Sequence, residues 1–359
     1  MRTRSRQPRR LGWAVKTKVK SARFIEAESN PAVEAYAGKI VEVRLGATKG
    51  EGGTRGKSVT VGGELAPAFY TVEKPMPNPP VVAVDVFDMK TSLPETVEMH
   101  VRDVLGDSAA WAELAVEKFE ADLVALHLAS TCPLLNNASP REAVRTVEEV
   151  AQAVDVPLII CGCGDPVKDA NVFEAVAETF AGERFLFSSI TGDMDVERCA
   201  GFIKRHGHVV LSSTRLNLDL ARQLNHQLCN FLPKEDIIMD LGTAALGHGL
   251  GGLFSTMEKA RLAALMGDQE LAHPMSSTAS TAWTAKEART GMAPEWEPRE
   301  LRGPLWELIT ALTLLLAGVD LIMMMHPAAV KVFKKTATQL LENHVIGADK
   351  IMEWCSVKT

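Results

Sequence analysis

Cysteine is scarce in this chain and is not spaced for metal binding. Six cysteines occur among 359 residues, and no C-x-x-C run is present. Such a run is typical of zinc ribbons and iron-sulfur sites, so neither site is expected here. Cys161 and Cys163 would share one face of a strand. We interpret them as small buried side chains, with a two-thiol metal site as the alternative. The cysteine usage favours a reduced, intracellular protein, and we expect a cytoplasmic location.

Long apolar runs are also missing. The longest one, residues 308–319, lies between Glu307 and Asp320. It is shorter than the roughly 20 residues that a membrane span needs. We interpret the run as a buried helix and expect no membrane contact. The chain is 46% hydrophobic, which is enough to fill a large globular core.

Basic residues are depleted outside the N-terminus. The first 23 residues carry nine Lys or Arg and no acid, which leaves 30 basic against 45 acidic residues in the rest of the chain. Nucleic-acid binding needs clustered cations on the folded surface, so no nucleic-acid partner is expected. Residues 1–37 contain an Arg pair but lack the apolar stretch of a secretory signal. We interpret them as a basic, flexible tail or a mis-started terminus.

A small β element is expected before the main domain, over residues 38–80. It ends in an extended linker rich in proline, because proline fixes its own φ and restricts the preceding residue. The Gly56-Lys57-Ser58 stretch is not a phosphate loop, since the required earlier glycine is Glu51 and the segment leads into a strand. The predicted strands cover residues 40–45 and 57–61, with a possible third at 68–73.

From residue 81 onward, strand-like and helix-like segments alternate eight times. Amphipathic helices fill the gaps, and helix 140–153 places Ala143, Val147 and Val150 on one face. Apolar strands that alternate with helices predict the α/β class and a (β/α)8 TIM barrel over 81–343, followed by a C-terminal extension at 344–359. The predicted strands cover residues 81–88, 122–130, 157–164, 185–190, 208–213, 237–242, 273–278 and 321–326.

The loop after the sixth predicted strand is the fullest candidate site, because barrels bind ligands at the carboxyl ends of their strands. Asp240 ends that strand and His248 follows it, which suggests acid-base chemistry or ligand contact. The loop glycines either supply positive φ for a turn or let a flat, amide-rich ligand approach the backbone. Both interpretations stay open. The spacing of Ser255 and Glu258 predicts a capping box at the start of the next helix.

Two further groups follow the seventh and eighth predicted strands. Trp283, Lys286 and Arg289 have helical spacing and form either a cationic, aromatic stripe or a solvated helix face. His326 is a candidate at the rim, after a run of core methionines. No Ser-His-Asp order, paired-carboxylate signature or metal cluster is visible, so the chain shows no complete catalytic set.

A series of short motifs resembles, in the same order, the small (delta) subunit of the corrinoid/iron-sulfur protein of the acetyl-CoA decarbonylase/synthase system. The resemblance covers roughly residues 38–335. Its motifs are Val61-Gly62-Gly63-Glu64, Pro77-Asn78-Pro79-Pro80-Val81, Gly162-Cys163-Gly164-Asp165-Pro166, Lys168-Asp169-Ala170, His206-Gly207-His208, Ala244-Ala245-Leu246-Gly247-His248-Gly249, Arg261-Leu262-Ala263-Ala264-Leu265, Ala282-Trp283, Ala285-Lys286-Glu287-Ala288-Arg289, Glu300-Leu301-Arg302-Gly303, Leu305-Trp306-Glu307 and His326-Pro327.

The resemblance implies a methyl-carrying heterodimer of one-carbon metabolism. In this family the large subunit carries the [4Fe-4S] cluster and most of the corrinoid site, and the corrinoid (cobalamin) lies between the two subunits. A methyltransferase delivers the methyl group from a methylated tetrahydropterin, and acetyl-CoA synthase receives it in the Wood-Ljungdahl pathway of anaerobic carbon fixation. The chain is therefore not expected to be catalytic alone.

The resemblance also implies that the barrel mouth forms one wall of the corrinoid chamber. The segments 88–94 and 130–139 depart from the family pattern. Two alternatives stay open: a stand-alone methyltransferase that binds methyl-tetrahydropterin through Asp240, Asn217 and Asp219, and a purely structural scaffold. The predicted corrinoid-binding residues are Asp240, Thr243, Leu246, Gly247, His248, Gly249, Ser276, Lys286 and His326.

Overall fold

A two-stranded antiparallel hairpin precedes the barrel. Strand β1 (Glu42–Leu45) pairs with β2 (Val59–Gly62), as the sequence predicts. The structure is a computed structural model that describes residues 35–69 and 76–342. The basic tail, most of the possible third strand and the C-terminal extension lie outside the described residues. The domain boundaries inferred from the sequence stay predictions.

Eight parallel strands form the barrel, and each one falls within a segment predicted from the sequence. The strands are β3 (Val81–Phe87), β4 (Leu123–His127), β5 (Leu158–Cys161), β6 (Leu186–Ile190), β7 (Val209–Ser213), β8 (Ile237–Asp240), β9 (Ser276–Thr278) and β10 (Leu321–Met324). The hydrogen-bonded order of the ring is β8-β7-β6-β5-β4-β3-β10-β9, and a bridge between Met239 and Met275 closes it. The (β/α)8 architecture is therefore confirmed.

Helices occupy every gap between these strands. The predicted helix 140–153 is confirmed, and a capping box formed by Ser139 and Glu142 fixes its start. Its apolar face is buried while Arg141 and Arg145 are exposed. The helices are α1 (Glu95–Val101), α2 (Ser108–Glu117), α3 (Pro140–Ala153), α4 (Pro166–Thr179), α5 (Val196–His206), α6 (Leu218–Cys229), α7 (Leu250–Leu265), α8 (Lys286–Arg289), α9 (Arg299–Leu316) and α10 (Pro327–Leu341).

The hairpin closes the amino-terminal end of the barrel. Val43, Leu45 and Val61 join the apolar cluster that fills the barrel interior. The backbone of the hairpin is tied to the barrel by the Gly46 N–H, which donates to the Arg184 carbonyl at 3.0 Å. Because this end is plugged, the opposite, carboxyl-terminal end is the mouth through which a ligand can approach the barrel.

A buried ion triad strengthens the plugged end. The Arg261 guanidinium of α7 lies 2.9 Å from a carboxylate oxygen of Glu64 and 2.7 Å from one of Asp320. The three side chains are almost fully buried. Burial raises the pKa of Glu64 to about 8, which keeps this carboxyl group protonated near neutral pH. The triad thus links the β element to the barrel without a buried net charge.

Two helix predictions need correction. Helix α7 begins at Leu250, so Ser255 and Glu258 lie inside it and do not cap it. The helix starts early because the positive φ of Gly249 turns the chain and buries Leu250 against the core. Residues 308–319 do contribute to a helix, α9, but only one face of it is buried. No helix among the described residues is long and apolar enough to cross a membrane.

Candidate ligand-binding site at the barrel mouth

Asp240 is the last residue of β8 and faces the barrel interior. It pairs in register with Ser213, two residues beyond Ile238, whose side chain belongs to the interior cluster. Its carboxylate accepts one hydrogen bond, from the Gly242 N–H at 2.7 Å. Burial raises the pKa of Asp240 to about 6, because this one bond only partly replaces the lost water. The carboxylate is therefore able to hold or release a proton near neutral pH.

Ser276 lies beside Asp240 on the interior face. It is paired with Leu321 of the interior cluster, and the Met239–Met275 bridge sets β8 next to β9. The Ser276 hydroxyl is fully buried and has no hydrogen-bond partner among the described residues. A buried hydroxyl without a partner is unfavourable unless a ligand or water satisfies it, so this part of the floor is suited to a polar ligand group.

The loop from Leu241 to Gly249 is held against α9 rather than left open over the mouth. The Leu246 N–H donates to the Thr310 hydroxyl at 3.2 Å, and the Trp306 indole N–H donates to the Leu246 carbonyl at 3.0 Å. Thr243 and the three residues from Gly247 to Gly249 are exposed. The loop thus has an anchored middle and an accessible tip.

Glycine conformation in this loop supports the turn interpretation. Gly242, Gly247 and Gly249 all have positive φ, between 77° and 115°. The space beside Gly247 is open, since a Cβ atom there would meet no heavy atom within 4 Å. These residues are glycine because the turn requires it. The open space also leaves room for a ligand near the backbone.

His248 meets the start of α8 at the edge of the mouth. The His248 ring lies 3.3 Å from the carboxylate of Glu287, the residue after Lys286 at the start of α8. Both His248 and Lys286 are exposed. The structure therefore brings together the strand-six loop and α8, as two of the predicted site segments.

His326 lies apart from this group. Its ring is buried, its Nδ1 accepts the Ala328 N–H at 3.2 Å, and it stacks on Trp283 with ring centres 5.8 Å apart. Burial lowers the pKa of His326 to about 4, so the ring is neutral at physiological pH. The side chain caps α10 at its N-terminus. Its predicted contact with corrinoid stays a prediction.

The side chains of Trp283, Lys286 and Arg289 do not form one stripe. Trp283 belongs to a 3-10 helix and is buried, whereas Lys286 and Arg289 of α8 are exposed. Cys161 is buried and Cys163 is half-buried. Burial raises the pKa of the Cys161 thiol, which keeps it protonated. Among residues 35–69 and 76–342, no group of three or more His, Cys, Asp or Glu side chains is arranged to hold a metal ion.

One polar group at the mouth was missed by the sequence analysis. Asp85 of β3 is buried, and its carboxylate lies 2.9 Å from Nε2 of His127 at the end of β4. The hydroxyl of Ser280 donates to the other carboxylate oxygen. The His127 ring also stacks on Phe87. The sequence feature that could have indicated this group is Asp85 itself, a charged residue within an otherwise apolar strand.

Exposed apolar side chains lie along part of the mouth. They follow β4, β5 and β7, and Leu134 and Val167 are 91% and 72% exposed. Beside them lies a polar cavity of about 730 Å³, lined by hydroxyl groups, by Arg215 and by the carboxylates of Asp169 and Asp193. We call the apolar residues the apolar rim. Its members are Leu134, Leu135, Val167, Leu216 and Leu220.

Comparison with known proteins identifies the family. The family model for the CO dehydrogenase/acetyl-CoA synthase delta subunit matches residues 42–293. The chain belongs to this delta-subunit family. It is 49% identical over 326 residues to the acetyl-CoA decarbonylase/synthase complex subunit delta of Archaeoglobus fulgidus, covering 89% of this chain and 72% of that one. The resemblance inferred from the sequence motifs is confirmed.

A further relative agrees with this assignment, and solved structures share the fold. The delta subunit of Methanothermobacter thermautotrophicus is 41% identical, over 91% of this chain and 82% of that one. Dihydropteroate synthase of Xanthomonas albilineans has a similar structure, with a TM-score of 0.52 and 18% identity over 85% of this chain and all of that one. The Coxiella burnetii enzyme gives a TM-score of 0.50 and 14% identity, over 74% and 94% of the two chains. These likenesses show the barrel fold alone.

Several family motifs have structural explanations. Asp169 of α4 accepts hydrogen bonds from the N–H groups of Cys163 and Gly164, each at 2.8 Å. Gly162 has no side chain because a Cβ atom would lie 2.4 Å from the Asp169 carboxylate. In α9, Glu307 accepts the N–H groups of Met325 and His326 at 2.6 and 3.0 Å. These motifs hold the strand-end loops in place.

The two segments that depart from the family pattern contact each other. Asp88 accepts the Ser130 N–H at 2.9 Å and also the Ser130 hydroxyl. Asp88 follows β3 and Ser130 follows β4, which are neighbouring strands. The two segments that the sequence analysis expects to depart from the family pattern are therefore in contact at the mouth.

Proposed function

We propose that the chain is the small subunit of a heterodimeric corrinoid/iron-sulfur methyl carrier, and that its barrel mouth forms one wall of the corrinoid chamber. The observation that carries the proposal is the apolar rim beside a polar mouth. Large apolar side chains at up to 91% exposure are unfavourable in water, and contiguous patches of them mark binding surfaces. The rim is suited to a surface that excludes water.

The residues of the mouth fit a flat ligand with amide groups at its edge. The buried Ser276 hydroxyl has no hydrogen-bond partner within the described ranges, and the backbone near Gly247 is open to approach. An amide N–H of the ligand would donate a hydrogen bond to a carboxylate oxygen of Asp240. When bound, the corrinoid would supply the cobalt that carries the methyl group. The chain would exclude water and hydrogen-bond the edge of the ligand. The [4Fe-4S] cluster belongs, in this proposal, to the partner chain.

A second apolar surface supports the heterodimer. On the outer face of α9, Leu301, Leu305, Ile309 and Leu316 are exposed, with spacings of four to seven residues that keep them on one side of the helix. The one charged residue between 303 and 319, Glu307, is fully buried. We call this set the α9 ridge and propose that it packs against the large subunit. Methyltetrahydropterin methyltransferase and acetyl-CoA synthase would then approach the complex at the mouth.

Co-expression with the large subunit tests the pairing. We expect the two chains to co-purify, with visible spectra that show corrinoid and iron-sulfur absorption. Ile309→Asp in the α9 ridge should abolish co-purification, because a carboxylate would be buried without a partner at the interface. Val332→Asp on α10, at similar exposure but off the ridge, is the control. Equal loss of pairing in both variants, or in neither, would count against the ridge.

Variants of the mouth test the chamber. Val167→Asp in the apolar rim should release corrinoid from an intact heterodimer, whereas Val332→Asp should not. His248→Ala and Thr243→Ala address the strand-six loop, and unchanged corrinoid retention and methyl-transfer rate in both would remove the loop from the chamber. If every mouth variant alters assembly alone, the barrel is a structural scaffold.

The stand-alone methyltransferase is less well supported. Of its three proposed anchors, Asn217 caps α6 by accepting the N–H groups of Asp219 and Leu220. Asp219 is paired with Arg222 on the same helix. Asp240 is therefore the one anchor of the three that is not engaged in contacts of α6. Tight binding of methyl-tetrahydropterin by the isolated chain would favour this alternative over the carrier subunit.

A further inference from the structure

A second cavity at the mouth lies away from the strand-six loop. It has a volume of about 490 Å³ and is formed by residues that follow β3, β9 and β10, three neighbouring strands of the ring. This volume is within the range of small-molecule sites. The carrier proposal uses none of the residues that line it, and the cavity is open to solvent in the chain by itself.

The walls of this cavity are apolar and partly aromatic. Phe87, Leu93, Trp283 and Met325 line it and belong to one packed cluster. The indole ring of Trp283 is fixed on one side by His326, at 5.8 Å between ring centres. A Cβ atom at Gly303 would lie 2.4 Å from the edge of the six-membered ring, so the glycine gives the indole its space. The aromatic wall is therefore preorganised for a flat group.

The charge at the rim of the cavity is positive. The two charged residues that line it are Arg289 and Glu95, and Glu95 pairs with Arg299 at 2.7 Å. Within the part of the chain that the structure describes, Arg289 has no ion-pair or hydrogen-bond partner. An uncompensated guanidinium beside an apolar wall favours an anionic group with planar oxygen acceptors.

The polar groups inside the cavity are compatible with an acceptor-rich ligand. The Thr91 hydroxyl is buried and has no partner among the described residues, so it is available to donate. The Ser280 hydroxyl donates to Asp85, whose other carboxylate oxygen is bonded to His127. Because both oxygens of Asp85 already accept hydrogen bonds, the floor is a fixed network and not a second free charge.

We propose that this cavity binds a small organic anion in which a carboxylate or phosphate group is attached to a flat apolar body. The Arg289 guanidinium binds the anionic group, the Thr91 hydroxyl donates a further hydrogen bond, and the apolar body packs against Trp283 and Phe87. Binding needs no partner subunit and no corrinoid, so the outcome is independent of the carrier proposal.

The test is calorimetric titration of the full chain with four probes. Benzoate and phenyl phosphate carry both features and distinguish a carboxylate from a phosphate, while benzamide lacks the charge and inorganic phosphate lacks the ring. We expect at least one of the first two to bind about tenfold more tightly than both of the others, the size of effect that one charge-assisted contact gives. If benzamide or inorganic phosphate binds as tightly as the best probe, the proposal is overturned.

Three variants test whether the anion binds in this cavity. Arg289→Gln should reduce the affinity for the best probe about tenfold, to that of benzamide. Thr284→Trp, at an exposed position on the rim of the cavity, should block it sterically. Arg145→Gln on the exposed face of α3 is the matched control and should leave binding unchanged. Circular dichroism checks that each variant is folded. Retained affinity in both cavity variants would show that the anion binds elsewhere.

Discussion

Replacing Arg261 by methionine should strongly destabilise the barrel. The change removes the contacts with the carboxyl groups of Glu64 and Asp320, at 2.9 and 2.7 Å, together with a hydrogen bond to the Gly318 carbonyl. Methionine fills similar space, so the loss is mainly electrostatic. Breaking a buried ion pair by removing one partner costs about 3–5 kcal/mol, because the other charges stay buried without compensation. For a barrel of about 300 residues this corresponds to a Tm lower by about 5–8 °C.

The loss of stability caused by Arg261→Met should be larger at high pH than at low pH. The folded-state pKa of Glu64 is about 8, above the ordinary value of 4.5, so the folded state binds the proton more tightly. The free energy of unfolding therefore falls as pH rises between about 4.5 and 8. Without Arg261 nothing offsets the repulsion between Glu64 and Asp320, so this fall should be steeper in the variant. The difference between Arg261→Met and the parent should be smaller at pH 5 than at pH 8.

Urea unfolding at pH 5 and pH 8 measures both quantities. Arg145→Met on the exposed face of α3 is the control and should change stability by about 0.5 kcal/mol or less. A stability of Arg261→Met equal to that of the parent would refute the structural role of the triad. An equal deficit at both pH values would refute the account of its protonation.

Three further variants test single contacts. Gly303→Ala should displace the Trp283 ring and cost about 1–3 kcal/mol, seen as a change in tryptophan fluorescence and a lower urea midpoint. Glu307→Gln should remove part of the pH dependence of stability. Burial raises the pKa of Glu307 to about 7, so the free energy of unfolding of the parent falls by roughly 3 kcal/mol as pH rises from 4.5 to 7. Urea denaturation at these two pH values should show a smaller fall in the variant. Asp169→Asn should lower the free energy of unfolding by about 1–3 kcal/mol, because one amide oxygen cannot replace the two carboxylate oxygens that accept the Cys163 and Gly164 N–H groups. Thermal unfolding measures this loss, and an unchanged Tm would contradict it.

Local patterns predicted the elements of the fold well. The alternation of apolar strands with amphipathic helices depends on the spacing of neighbouring residues, and that spacing is visible in the sequence. The boundaries of α3 and the position of Asp240 at a strand end therefore agree with the structure. The family was also readable, because its motifs keep their order along the chain.

Patterns that depend on packing were misread. The capping box at Ser255 and Glu258 had the right spacing, but the helix begins five residues earlier, where Gly249 turns the chain. The run at 308–319 has the composition of a buried helix, yet its outer face is exposed because no described element covers it. Composition shows how apolar a segment is. It does not show which neighbours the segment has.

The sequence by itself determined the barrel, the order of its strands along the chain and the family, since each follows from local periodicity or from motif order. The tertiary structure alone decided which side chains meet at the mouth. Asp85 and Ser280 are 195 residues apart in the chain, and they are in contact because closing the ring sets β9 two strands away from β3. The cavity beside Arg289 has the same origin: its walls come from three strand ends that lie together only after the sheet has closed.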